Sequence, residues 1–186
     1  MDLELFLADL AGRFDAHRRD EVDALVGELT DAERAGVTFS SRMVAMRGTE
    51  LTVLVRGGER LTGEVVDVAE SWVLLRTRGG DSLVPTAAVV AAWPMGGAVA
   101  GGIGLGDTVG LDHVLREAAD QGLGVVIDHD AGLHQGVVGA VLADHFDLEP
   151  DPGATAGDLR HRSGGVAVVS LSLAGVRRIR LMGMLA

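Results

Sequence analysis

The chain has no cysteine, no lysine and no tyrosine, and aromatic residues make up only 3% of it. Without cysteine, disulfides, thiolate metal sites and cysteine nucleophiles are excluded. Without lysine, the Gly-rich stretch after Pro94 is no P-loop, because that motif needs a lysine at the phosphates. Few aromatics mean a core of Val, Leu and Ala. Hydrophobic residues reach 47% of the 186, enough for one domain or two small ones. The sequence also lacks a Gly-x-Ser-x-Gly elbow and a His-Glu-x-x-His helix. No nucleophile, base and orienting group converge in it, so the expectation is a non-enzymatic protein without a cofactor.

Charge is lopsided. Sixteen arginines face 27 acids, for a formal net charge of −11. A diffuse negative field repels phosphate backbones and anionic membrane surfaces. The opening Met1-Asp2-Leu3-Glu4 is acidic where a secretion signal needs positive charge, which points to the cytoplasm. The uncharged stretch from Ser82 to Gly106 contains Pro85, Pro94 and repeated glycines. Large apolar side chains are scarce there, so it is not expected to span a membrane.

Residues 1–37 read as an amphipathic helix. Leu3, Phe6, Leu7, Leu10 and Phe14 recur at three- and four-residue spacing and form a face for the body of the protein, a partner or a second copy. Residues 1–40 carry ten acids and four arginines, more than half of the net charge. From residue 38 the period changes. Ser40 or Ser41 can cap a short helix through Arg47, and strand patterns follow at 51–55, 60–68, 72–77, 82–84 and 89–93. Arg56-Gly57-Gly58-Glu59 supplies a hairpin turn. Five short strands with tight turns suggest a small closed barrel over 38–94, since closure protects sheet edges. Residues 95–110 read as a Gly-rich linker.

The second half, 111–186, repeats the first. A shift of 73 aligns Gly63 with Gly136, Val65 with Val138, Val68 with Val141, Val73 with Phe146 and Leu75 with Leu148. Later the shift becomes 87, matching Val84-Pro85-Thr86-Ala87-Ala88-Val89 to Leu171-Ser172-Leu173-Ala174-Gly175-Val176. The difference is a polar loop insertion at 149–165. Gly63 and Gly136 sit mid-strand, where a side chain would block a sharply bent sheet.

These patterns carry a resemblance. A short helix, a strand, Gly58-Glu59-Arg60-Leu61-Thr62-Gly63-Glu64-Val65, a turn and Trp72-Val73-Leu74-Leu75 together resemble Sm-like (SH3-like) domains over 38–186. The resemblance implies a mostly-β fold of two tandem five-stranded Sm-like barrels, each preceded by a short helix. The whole chain also resembles an uncharacterised family from high-GC Gram-positive bacteria, some of whose members carry the label of Fis-family transcriptional regulators. A Fis-type DNA reader needs a basic helix-turn-helix, and the final segment here reads as strands.

Sm-like resemblance implies RNA binding through an Asp/Asn loop and an Arg-Gly pair. The matching loops, Glu70-Ser71-Trp72 and Asp144-His145-Phe146, lack the Asn. Val84-Pro85-Thr86 and Leu171-Ser172-Leu173 stand where the Arg-Gly pair belongs. Candidate contacts for a nucleic acid or a partner are Arg56, Arg60, Trp72, Arg76, Arg78, His145 and Phe146, with the two aromatics read first as core or rim residues. Residues 41–96 hold six acids and six arginines, a neutral balance unsuited to phosphate affinity. Asp128, His129, Asp130 and His134, with Asp144 and His145 further on, are zinc-type ligands at spacings that match no established motif, and a polar hairpin turn is the simpler reading. The expectation is therefore a protein–protein interaction or assembly module, with an RNA- or DNA-binding regulator as the alternative.

Overall fold

The computed structural model describes residue 25 and residues 35–97, 109–150 and 168–182. The expected helix over 1–37 with its partner face (Leu3, Phe6, Leu7, Leu10, Phe14), the middle of the linker and most of the loop insertion lie outside these residues. The chain divides into two compact units, Met1–Val37 and Thr38–Ala186.

The second unit opens with α1 (Phe39–Val44). The cap is Thr38, not Ser40 or Ser41: its Oγ1 accepts from the Ser41 N–H at 3.1 Å. Strands β1 (Glu50–Val55), β2 (Arg60–Val68), β3 (Trp72–Thr77), β4 (Gly80–Pro85) and β5 (Val89–Trp93) come next, with a 3₁₀ turn, Thr86–Ala88, before the last. The β1–β2 hairpin turns through Gly57 and Gly58, both at positive φ, a conformation open to glycine. The second half comprises α2 (Leu111–Asp120), β6 (Gly124–His129), β7 (Gly132–Val141), β8 (His145–Glu149), β9 (Val169–Ser172) and β10 (Val176–Met182), with a 3₁₀ turn, Leu173–Gly175, before β10.

Structure reproduces the repeat at the level of single atoms. β2 and β7 both shift register, after Val65 and after its counterpart Val138. A Cβ on Gly63 would lie 2.5 Å from the Arg76 carbonyl oxygen, and one on Gly136 would strike the Glu149 carbonyl, 73 residues on. Both strands thus bulge beside a glycine that lets the neighbouring backbone come close.

The strands do not close into two separate barrels. They form one antiparallel sheet of ten, in the order β5-β1-β2-β3-β4-β10-β6-β7-β8-β9. The edge that closure was expected to protect is instead taken by the other half: β4 pairs with β10, Leu83 opposite Ile179. Two cores result. One is built on Met43, Leu51, Val53, Val55, Val65, Val73 and Leu75, with Met43 bringing α1 onto it. The other is built on Leu115, Val125, Ile127, Val138, Phe146, Leu148 and Ile179, where α2 rests on β7. Leu83 of the first half packs against this second core, which ties the halves together.

Candidate functional site

Where the halves meet, three arginines hold the sheet. Arg56 leaves the end of β1 and reaches both 3₁₀ turns. Its Nη2 donates to the Ala174 carbonyl at 2.6 Å, and its Nη1 to the Ala87 carbonyl at 3.5 Å. Those two alanines are repeat counterparts, 87 residues apart. Asp130 lies 3.5 Å from the same guanidinium. Arg177 on β10 returns the contact, donating to the Arg56 carbonyl at 3.3 Å and the His129 carbonyl at 2.7 Å. Its neighbour Arg178 points to the other face of β10, as strand alternation requires. It pairs with Asp128 at 2.5 Å within its own half and with Glu59 at 3.0 Å in the first half. The Asp128 and Arg178 side chains are only 12% and 15% exposed. Buried charges of this kind are retained only when paired.

His129 is fixed in the same region. Its Nδ1 accepts the Ala131 N–H at 3.0 Å, so the ring proton sits on Nε2 and donates to the Ser172 carbonyl at 3.1 Å. A Cβ on Gly175 would strike this ring. His134 packs edge-on against it, 6.1 Å between centroids. The carboxylates Asp128 and Asp130 are thus engaged by arginines. Among the described residues no group of three or more His, Asp or Glu side chains is disposed to hold a metal ion.

The other candidate contact residues have separate partners. Arg60 lies over the Trp93 ring, 5.5 Å from its centroid. Arg76 bonds Asp81 at 3.3 Å across the β3–β4 pair. Arg78 is exposed in the turn between those strands. Trp72 is buried, and its indole N–H donates to the Val109 carbonyl at 2.9 Å. Phe146 is wholly buried in the second core, where no base can stack on it. His145 is half-exposed, and its Nδ1 meets the exposed Asp144 carboxylate at 2.6 Å. That hydrogen bond holds Asp144 below its ordinary pKa of 3.8.

The two ends of the sheet were not singled out from the residue pattern. Among the described residues, β5 pairs only with β1 and β9 only with β8. Val-Val-Ala-Ala-Trp and Val-Ser-Leu-Ser contain no charge, whereas β10, which is covered on both sides, carries three arginines. Val90 is 59% exposed on β5, and Val168, just before β9, is 53% exposed. Edge strands that stay single are ordinarily guarded by charge, proline or a bulge; β5 carries no charge but has a register shift against β1 at Val90 and is followed directly by Pro94. No described helix is long and apolar enough to cross a membrane. No family model, curated protein or solved structure matches the chain.

Proposed function

We propose that this chain is a cytoplasmic, non-enzymatic assembly module of two Sm-like halves that binds other chains by strand addition at its sheet ends. The observation that carries this reading is the pair of uncharged, singly paired edge strands β5 and β9. An open edge offers a row of backbone donors and acceptors, and main-chain hydrogen bonds supply affinity in β-augmentation. The Sm-like reading of each half is supported by the strand order, which runs fifth-first-second-third-fourth on one side and repeats on the other. The nucleic-acid alternative has less support: Arg56 and Arg76 have acidic partners, and Phe146 is in the core.

The test is affinity capture with the full chain and with the edge variants Val90→Lys and Ser170→Lys. Both residues are exposed, so folding should survive, as a thermal melt will check. Chains held by the wild type and lost from either variant are expected. Identical capture by all three proteins refutes strand addition.

A further inference from the structure

The His129 ring holds the turn by which the first half grips the second. It is 6% exposed and lies against the 3₁₀ turn Leu173–Gly175, where only a glycine at 175 leaves it room. The Asp130 N–H ties the same turn from its other side, donating to the Gly175 carbonyl at 2.9 Å. Arg56 of the first half donates to Ala174 in that turn. Arg177, which holds the Arg56 carbonyl, also holds the His129 carbonyl.

This position admits the ring with one proton. Nδ1 accepts the Ala131 N–H and Nε2 donates to the Ser172 carbonyl. A second proton, placed on Nδ1, would point at the Ala131 N–H and replace a hydrogen bond by two opposed donors. The charges around the ring give it no relief. Arg56 approaches from the end of β1 and Arg177 from β10, and Asp130 is already shared between them, at 3.5 Å and 3.7 Å. Asp128 on β6 is engaged by Arg178 of β10. His134 on β7 packs edge-on against the ring. His145, opposite Ser172 on β8, is bonded to Asp144. A charged imidazole would join two guanidiniums where both neighbouring carboxylates are in use.

We infer that His129 is an acid-sensitive latch on the joint between the halves: a second proton on its ring releases the Leu173–Gly175 turn, and with it the grip of Arg56 and the pairing of β10 with β4. The latch is independent of strand addition at the sheet ends. Its direction follows from proton counting. Once the joint is open the ring is a free imidazole, which takes up its second proton below about pH 6.5. Opening then binds a proton that the closed joint refuses, so it becomes more favourable as pH falls, by up to about tenfold in its equilibrium constant per pH unit. Above that range the latch is indifferent to pH.

The test compares the full-length wild type with His129→Gln and His113→Gln between about pH 7.5 and 5.5, above the range where carboxylates titrate. Glutamine keeps a donor and an acceptor but takes up no proton. His113 is exposed on α2 and serves as the control. Amide hydrogen exchange, corrected for its intrinsic pH dependence, is followed in β4 and β10, with β1 to β3 as the internal reference. In the wild type and in His113→Gln, protection of β4 and β10 should fall about tenfold or more relative to the reference as pH drops. In His129→Gln that ratio should not change with pH, whatever its level. A wild type whose ratio stays constant, or an equal fall in His129→Gln, overturns the inference. Should His129→Gln not fold, nitrogen-15 NMR of the wild-type ring decides. The tautomer with its proton on Nε2 is expected wherever β10 is protected, and a doubly protonated ring in a chain with β10 still protected overturns the latch.

Discussion

Arg178 is the residue on which the joint between the halves is most exposed to test. Replacing it by Met keeps much of the apolar stem and removes the charge. Asp128, only 12% exposed, then loses the guanidinium that neutralises it. Leaving one member of a buried pair uncompensated costs about 3–5 kcal/mol. Glu59 loses the same partner but is 41% exposed, so its share is below about 1 kcal/mol. The cost of Arg178→Met should therefore be dominated by Asp128, and Glu59→Gln should be nearly silent. Replacing both members, Asp128→Leu with Arg178→Met, removes the stranded charge. Such double apolar replacements are often close to neutral, so most of the loss should be recovered. Urea unfolding followed by circular dichroism reads all four proteins. With a slope of about 1–3 kcal/mol per molar urea, the single Arg178 variant should lose about 1–5 M from its midpoint. The reasoning is refuted if Arg178→Met costs less than about 1 kcal/mol, or if the double variant is no more stable than the single one.

Two further expectations concern the repeat and its exposed turn. Gly63→Ala and Gly136→Ala each drive a Cβ into a backbone carbonyl that cannot rotate away, and each should destabilise by about 1–3 kcal/mol in thermal melts, whereas Gly79→Ala, whose nearest neighbour is the Thr77 side chain at 3.8 Å, should cost less than about 1 kcal/mol. Asp144 should titrate below 3.8 in a carboxyl-carbon NMR experiment and return to its ordinary value in His145→Ala; because its folded pKa is the lower one, its contribution to stability is present above the unfolded pKa and is lost as pH falls through the folded value.

Strand positions were legible because the residues alternate and the turns are marked by glycine. All five strands expected in the first half form there, with ends moved by at most two residues. The repeat was legible for the same reason: Gly63 and Gly136 answer one steric need at one place in two strands. Phe146 carried its own clue, since its counterpart Val73 is an inward-facing strand residue that is also fully buried. The joint was hidden. Arg177 and Arg178 are neighbours on opposite faces of one strand, and nothing local says that one reaches Arg56 and the other Glu59, more than a hundred residues earlier. Closed barrels were expected because a small sheet must protect its edges. For β4 the protection comes from the other half of the chain, which pattern within one half cannot reveal, and β5 and β9 are left at the ends of the sheet.

The joint between the halves has a physical logic. Two halves on one chain meet at high effective concentration, so their joint can tolerate charged residues whose desolvation is costly, provided each finds its partner. Arg178 with Asp128 and Glu59 satisfies that condition. It also makes the pairing selective, because β10 on a wrong edge would bury guanidiniums without their carboxylates. The arginines of β10 thus keep it on β4. The strands left at the ends carry no such key. Any chain added at those ends would be selected by the direction and register of the sheet alone.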